Sequence, residues 1–182
     1  MTGYDFDKTI YDGDCFIDFY KYCLIKRPYL ILYIPFQILL AIFTFFNRQY
    51  LKQFFASYLI FVYKKDDLIE KFWNKNMSKI KDWYFRQKKD DDIIISASPY
   101  FLLKPICNRI GLKNLIATDM DINTGIIKGK NCYGEQKVYA FKEKYPNIKL
   151  DAFYSDSKSD LYMIAISQHG YIITKTHRLK IK

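Results

Sequence analysis

The sequence contains no closely spaced pair of cysteines. Its four cysteines stand at positions 15, 23, 107 and 132, and neither of its two histidines is near any of them in the chain. Zinc sites and disulfide frameworks need such clusters, so both are disfavoured as the basis of this fold. The cysteines are expected to remain reduced thiols, as they do in the cytoplasm.

Other common features are also absent from the sequence. There is no internal repeat, no low-complexity segment and no nucleic-acid recognition motif among the dispersed basic residues. Because charged residues precede any apolar run at the start of the chain, no signal peptide is expected. We therefore expect a cytoplasmic protein without a nucleic-acid partner, and the sequence leaves its oligomeric state open.

Apolar, aromatic and basic residues are abundant instead. Half of the 182 residues are hydrophobic, 19% are aromatic, and the net charge is +10. This composition favours a folded domain with a sizeable core over a disordered chain. The positive charge favours an acidic partner, such as a phosphorylated substrate or an anionic membrane surface.

The pattern of apolar residues predicts strands alternating with helices after residue 91. DIIISAS, NLIAT, LDAFYSD and GYIITKT read as strands, MDINTGIIKGK reads as a hairpin, and helices fill the segments between them. Residues 1–9 add a short strand, and a helix is expected from a cap at Asp66 to about residue 90. This alternation predicts an α/β fold with a Rossmann-like parallel sheet, whose ligands bind beyond the carboxyl ends of the strands.

Four polar motifs fall at predicted strand ends or helix starts. In chain order they are DFDKT with Asp5, Asp7 and Thr9, IIISAS with Ser96, NCYGEQK with Lys137, and YSDSKSD with Asp156 and Asp160. Each motif alone arises often by chance, whereas the ordered set predicts one site at one edge of the sheet. Two carboxylates at the end of a strand are a natural place for a cation or a phosphate.

The ordered set resembles the haloacid dehalogenase-like superfamily in its phosphoserine-phosphatase-like branch. The stretches ISASPYFLLKPI, ATDMDINTGIIKGKNCYGEQK and FYSDSKSDLYM carry the likeness, and the phosphatidylglycerophosphatase C family is the nearest type. The resemblance covers residues 1–14 and about 92–174 well. It implies a core domain formed by residues 1–14 and 92–182, with a helical cap domain, residues 15–91, inserted between them.

This resemblance implies a Mg²⁺-dependent phosphatase that hydrolyses phosphate monoesters. Asp5 would be the nucleophile that forms an aspartyl-phosphate, and Asp7 would act as general acid and then as general base. The residues assigned to phosphate are Thr9, Ser96 and Lys137, and those assigned to Mg²⁺ are Asp5, the Asp7 carbonyl and Asp156, supported by Asp160.

Two positions depart from the family pattern, and one serine is an alternative to the serine of a motif. Lys8 stands where a glycine commonly precedes the motif threonine, and Tyr154 stands where a glycine often precedes the acidic motif. Ser98 competes with Ser96 and is the better placed of the two to cap the following helix. No role is expected for His169 or His177.

The inserted segment contains a long apolar and aromatic stretch at residues 29–46, with Lys26 and Arg27 before it. It can be read as the buried core of a helical cap, as a segment lying in the lipid interface, or as a span interrupted by Pro35 and Gln37. An interfacial segment predicts peripheral attachment to the inner face of the membrane and a phospholipid substrate such as phosphatidylglycerophosphate. The alternatives are a soluble monoester such as phosphoserine, or a non-catalytic membrane-associated protein on the same fold.

Overall fold

The computed structural model describes residues 1–44, 47–174 and 178–182. A six-stranded sheet has the order β3-β2-β1-β4-β5-β6. Five strands are parallel: β1 (Thr2–Tyr4), β2 (Ile93–Pro99), β3 (Asn114–Thr118), β4 (Ala152–Ser155) and β5 (His169–Ile173). The short edge strand β6 (Arg178–Lys180) pairs antiparallel with β5 and was not predicted. The predicted α/β class with a Rossmann-like, mainly parallel sheet is confirmed.

Helices cover both faces of this sheet, which is why its strands read as continuous apolar runs. Along β2, Ile94 packs into the larger core with residues of α1 (Cys15–Lys26), α4 (Lys65–Asn76) and α6 (Tyr100–Arg109). Its neighbours Ile93 and Ile95 face the other way and pack with α7 (Glu135–Lys144) and α8 (Leu161–Ile166).

Three tyrosines stack in register across neighbouring strands. Tyr4 on β1, Tyr154 on β4 and Tyr171 on β5 have ring centroids 5.0 and 4.5 Å apart, with nearly parallel planes. Such ring pairs contribute roughly 0.5–1.5 kcal/mol each beyond the area that they bury. The tyrosine in place of the family's glycine at position 154 therefore has a packing role in the middle of the sheet.

The insertion (residues 15–91) is helical. Its elements after α1 are a 3₁₀ helix at Pro28–Tyr33, α2 (Ile34–Thr44), α3 (Arg48–Ala56), a 3₁₀ helix at Ser57–Phe61, α4, a 3₁₀ turn at Met77–Lys79 and α5 (Asp82–Gln87). The division into a core domain and a cap domain at residues 14/15 and 91/92 stays a prediction.

The described part of the apolar stretch, residues 29–44, is divided between the Pro28–Tyr33 helix and α2. Within the described part of the chain, no single helix is both long and apolar enough to cross a bilayer. By length and composition alone, α1 and Pro28–Ile42 together would be long and apolar enough to cross a bilayer. The two segments are bent by 116° relative to each other. Phe45, Phe46 and His177 lie outside the described residues.

The prediction of one long helix from Asp66 to about residue 90 is wrong. Helix α4 begins at Lys65, and Lys64 occupies the cap position with a φ of 52° and no side-chain cap bond. Asp66 lies in the first turn, where its charge is favourable near the positive end of the helix dipole. The helix ends at Asn76 because a 3₁₀ turn follows it, and α5 is a separate element.

The predicted hairpin is present as an antiparallel bridge between Met120 and Ile127. Asp121 closes its turn, since its Oδ1 accepts hydrogen bonds from the amides of Asn123 and Thr124 at 2.8 and 2.9 Å. Gly125, with a φ of 76°, then passes so near α3 that a Cβ there would lie 2.6 Å from the Ala56 carbonyl oxygen. This close approach fixes the hairpin against the insertion.

Candidate active site

The carboxyl ends of β1, β2 and β4 bring the predicted site residues together. Strand β1 lies between β2 and β4, with Tyr4 paired to Ile94 on one side and to Tyr154 on the other. Asp5 follows directly, and its amide donates to the Tyr154 carbonyl at 2.8 Å. The sequence prediction that this edge collects the polar motifs therefore agrees with the structure.

A buried lysine bridges two buried carboxylates at the centre of the site. Lys137 Nζ lies 2.8 Å from Asp5 Oδ1 and 2.7 Å from Asp160 Oδ2, and the Ser155 hydroxyl donates to the same Asp160 oxygen at 2.7 Å. Burial raises the pKa of Asp5 to about 7, against the lowering effect of the Lys137 charge. Burial by itself lowers the pKa of Lys137, but Asp5 and Asp160 raise it above its ordinary value, so the lysine stays charged.

Asp7 is held by two donors on the opposite side of the loop. Its Oδ1 accepts from the Cys15 amide at 2.6 Å, at the start of α1, and its Oδ2 accepts from the Ser98 hydroxyl. Burial and the Asp14 charge raise the pKa of Asp7 to about 6, although both hydrogen bonds lower it. A carboxyl group with such a pKa can give up and take back a proton near neutral pH.

The turn after Asp7 explains why a glycine is common at the next position. Lys8 has a φ of 56°, in the left-handed region that side chains other than glycine rarely adopt. Its amide donates to the Gly13 carbonyl at 2.8 Å and its carbonyl accepts from Lys81 Nζ. These bonds hold the strained residue in place.

Ser98 has a different contact from the one expected, and the assignment of Ser96 to phosphate stays a prediction. The Ser96 hydroxyl oxygen accepts from the Ser98 amide at 3.1 Å, and the Ser98 side chain contacts Asp7. Ser98 is therefore not the cap of α6, whose cap position is Pro99 without a side-chain bond. Alternation along β2 puts positions 96 and 98 on the same face, a signal in the sequence that both serines reach the site.

Thr9 and Asp156 lie together at the β4 side of the site. Thr9 is fully buried, and its hydroxyl oxygen accepts from the Asp156 amide at 3.0 Å. Burial raises the pKa of the half-buried Asp156, against the charge of Lys8. The structure thus gives Thr9 a part in positioning Asp156, and its assignment to phosphate stays a prediction.

Lys52 is the site residue that sequence reasoning missed. It comes from α3 of the insertion, and its Nζ donates to the Ala97 carbonyl, between the two serines, and to Asn131 Oδ1 at 2.9 Å. Burial lowers the pKa of Lys52 to about 8, although the Asp7 charge raises it. The signal in the sequence is a stripe of polar residues, Gln49, Lys52 and Gln53, on one face of a helix that also carries three aromatic residues.

A profile of the haloacid dehalogenase-like hydrolases matches residues 2–165. The chain belongs to this family. The superfamily resemblance carried by the four motifs is thus confirmed, and so is the expectation that the chain belongs to a family of hydrolases. The likeness to phosphatidylglycerophosphatase C stays a prediction.

Three comparisons illustrate how this family member relates to known proteins. Protein CicA of Caulobacter vibrioides is 31% identical over 96 residues, which span 49% of this chain and only 43% of CicA. A crystal structure of a Bordetella pertussis Tohama I protein of unknown function aligns with a TM-score of 0.74 and 16% identity, over 93% of this chain and 87% of that one. A phosphoserine phosphohydrolase-like protein of Francisella tularensis aligns with a TM-score of 0.54 and 17% identity, over 93% and 86%. The structural matches show a shared fold.

The donor set of this hydrolase site fits Mg²⁺, a hard cation that prefers oxygen ligands. Asp160 Oδ1 is buried without a hydrogen-bond partner among the described residues. In the described part of the chain, Asp5 and Asp160 share a single paired cation, Lys137, so the site has negative charge that a divalent cation would balance. In the described chain no three acidic, histidine or cysteine side chains are arranged to hold a metal. The predicted ligand set does not need three, because it combines two carboxylates with the Asp7 carbonyl.

Proposed function

We propose that this chain is a Mg²⁺-dependent phosphatase that hydrolyses phosphate monoesters through an aspartyl-phosphate at Asp5. The observation that supports this most is the buried Asp5–Lys137–Asp160 cluster beside Asp7 at the carboxyl end of β1. Mg²⁺ held by Asp5, Asp156 and the Asp7 carbonyl would supply positive charge that screens an anionic phosphate from these carboxylates.

In the first step, Asp5 attacks the phosphorus atom of the ester. Lys137 occupies Oδ1, which leaves Oδ2 to form the new bond to phosphorus while the bond to the leaving oxygen breaks. Asp7 gives its proton to that leaving oxygen, so an alcohol departs. Lys137 and Ser96 stabilise the charge on the phosphoryl oxygens.

In the second step, water attacks the phosphorus atom of the aspartyl-phosphate. Asp7, now ionised, takes a proton from this water, and the bond between phosphorus and the Asp5 oxygen breaks. Inorganic phosphate leaves, Asp5 is again a carboxylate, and Asp7 is again protonated. A pKa of about 6 for Asp7 suits a group that must hold the proton in one step and release it in the other.

The test is Mg²⁺-dependent release of phosphate, together with a covalent phosphoryl group on Asp5 detected by mass spectrometry after acid quenching. Asp7→Asn keeps the nucleophile and removes the proton donor and acceptor. Its phosphoenzyme should therefore accumulate with para-nitrophenyl phosphate, whose leaving group needs little protonation. Turnover of Asp7→Asn at the parental rate, or activity that a chelator does not reduce, contradicts this mechanism.

The surface of the insertion supports a phospholipid as the substrate. In the Pro28–Tyr33 helix and α2 most of the described apolar side chains are exposed; Leu32 is 85% exposed and Ile42 66%, whereas Leu30 is buried. Among the described side chains of α2 the buried one is polar: Gln37 accepts from the Tyr20 hydroxyl and donates to the Phe55 carbonyl. A contiguous apolar surface of this kind marks an interaction site. Basic Lys26 and Arg27 beside it favour the surface of an anionic bilayer.

The second test separates a lipid from a soluble substrate. The protein should sediment with vesicles containing phosphatidylglycerol, more weakly as salt rises. Leu32→Ser with Ile42→Ser should lose vesicle binding and turnover of a phosphatidylglycerophosphate-type lipid, yet keep turnover of a soluble ester. The matched control is Ile148→Ser with Tyr162→Ser, which removes exposed apolar side chains elsewhere.

A soluble monoester such as phosphoserine is the second candidate substrate. Its support is the fold shared with the phosphoserine phosphohydrolase-like protein. If the parent never binds vesicles and turns over phosphoserine faster than lipid, this candidate takes first place.

A further inference from the structure

A polar cleft of about 470 Å³ lies between the start of α3 and the segment that leads into α7. Two of its lining residues are cations and the others are neutral; no acidic side chain lines it in the described part of the chain. The residues that matter here are Arg48, Gln49, Lys130, Asn131, Tyr133 and Gln136. The nearby Glu135 is engaged along α7, where its Oε1 accepts from the Tyr139 hydroxyl at 3.2 Å.

Contacts hold one cation of the cleft, Arg48, and the backbone that carries the other, Lys130. The Arg48 guanidinium lies 4.5 Å from the centroid of the Tyr133 ring, a cation–π contact. The Gln49 carboxamide donates to the Gly129 carbonyl at 3.0 Å and accepts from the Asn131 amide at 3.3 Å. These two bonds fix the backbone on either side of Lys130. A ligand therefore meets a guanidinium that has already lost part of its freedom, beside a lysine whose backbone is fixed.

Neighbouring residues and side-chain contacts connect the cleft to the catalytic cluster. Gln136 lines the cleft, and the following residue of α7 is Lys137. From Asn131, a chain of contacts runs through Lys52 to the Ala97 carbonyl, and the adjacent Ser98 donates to Asp7. Asp7 protonates the leaving group in the proposed mechanism, so these contacts link the cleft to the residue that would face the alcohol part of the substrate.

We propose that this cleft binds a second anionic group, carried by the alcohol part of the substrate a few bonds from the phosphate monoester. This rests on the proposed function and narrows its substrate class to esters with two anionic groups. A phosphodiester of a lipid headgroup and a carboxylate of a soluble metabolite share this chemistry, because either accepts hydrogen bonds from Arg48 and Lys130.

The first experiment measures binding without catalysis. Glycerophosphoglycerol, a soluble phosphodiester without a monoester, is titrated calorimetrically into the parent protein. In a parallel titration, serine is the probe that carries a carboxylate. We expect saturable binding of one probe and a loss of about tenfold in affinity in Arg48→Gln with Lys130→Gln. The control, Lys113→Gln with Lys142→Gln, removes the same charge from exposed positions elsewhere and should bind like the parent.

The second experiment measures the kinetics of the same variants. With deacylated phosphatidylglycerophosphate or phosphoserine, the Arg48 and Lys130 double variant should raise KM about tenfold and leave kcat within about twofold. With para-nitrophenyl phosphate, which has no second anion, neither constant should change. Preference for the diester assigns the cleft to a lipid headgroup, and preference for the carboxylate assigns it to a soluble metabolite.

The outcomes separate this inference from the proposed function. Probe binding that the double variant loses, in a protein without turnover, supports the cleft and contradicts the phosphatase. Turnover with an equal KM in parent and double variant supports the phosphatase and overturns the cleft. Failure of both probes to bind the parent also overturns the cleft.

Discussion

The carboxyl edge of the sheet and the outer surface of the insertion depart from the ordinary distribution of residues in opposite ways. At the sheet edge, Asp5, Lys137 and Asp160 are charged side chains with 8%, 2% and 1% exposure. On the insertion, Leu32 and Ile42 are apolar side chains that remain largely exposed. Buried charge and a large exposed apolar surface are both costly, so each marks a place where structure serves binding.

The two regions differ in what compensates for their energetic cost. At the sheet edge, contacts within the protein compensate for the burial of charge, because Lys137 pairs with both carboxylates and Ser155 satisfies one oxygen of Asp160. On α2, the described apolar side chains Ile38, Leu39 and Ile42 remain exposed, while Gln37 anchors the helix from its inner side. This difference supports the proposal that the first region binds a small charged ligand and the second an extended apolar one.

The largest expected effect comes from Asp5→Asn. This change removes the nucleophile, so turnover should fall at least about a thousandfold. The fold should persist because Asp160 still pairs with Lys137. Phosphate release measures the first result and circular dichroism the second. Activity of Asp5→Asn at the parental rate would show that the sheet edge does not catalyse the reaction through Asp5.

Next in size is the effect of Lys137→Met on stability. Two buried carboxylates would lose their shared cation, which typically costs about 3–5 kcal/mol when one partner of a buried pair is removed. Urea unfolding should show this loss, whereas Lys142→Met at an exposed position of α7 should change stability by at most about 0.5 kcal/mol. Equal effects of the two substitutions would show that Lys137 is not structurally coupled to the cluster.

Two leucines of the insertion test the other half of the comparison. Leu59 is fully buried and Leu32 is 85% exposed. Leu59→Ala should destabilise the protein by about 2–5 kcal/mol, and Leu32→Ala by at most about 0.5 kcal/mol. If Leu32→Ala destabilised the isolated protein as much as Leu59→Ala, the Leu32 side chain would be packed against other residues in solution and would not be free to contact lipid.

The sheet edge was the more predictable of the two regions. Strands β2, β3 and β4 were recognisable in the sequence as apolar runs. Polar residues at their carboxyl ends must converge because parallel strands end on one edge of the sheet. The local contacts were not predictable: the Ser96 hydroxyl bonds to the Ser98 amide, and Thr9 bonds to the Asp156 amide. Such details depend on backbone geometry within a turn, which a residue pattern does not specify.

The insertion was less predictable because its contacts are non-local. A long apolar run fits a buried core or a lipid-facing surface equally well, and only the packing of α2 shows that its apolar side chains point outward. Lys52 illustrates the same limit. Its role depends on how α3 docks on Ala97 and Asn131, residues that lie far away in the chain.

The smallest expected effect concerns the pH dependence contributed by Lys52, which links the two regions. Burial lowers its pKa in the folded protein from 10.5 to about 8. Between these values the unfolded chain holds a proton that the folded protein has released, so stability gains a rising contribution as pH increases from about 8 to 10.5. Below pH 8 both states are protonated and the contribution is flat.

Lys52→Met isolates this contribution from the many tyrosines and cysteines that also titrate at alkaline pH. The difference in unfolding free energy between parent and Lys52→Met should therefore shift in favour of the parent between pH 8 and 10.5. Lys113→Met, at an exposed position, should show no such shift. A flat difference for Lys52→Met would mean that α3 does not hold this lysine away from water, and the insertion would then be loosely docked over the catalytic edge.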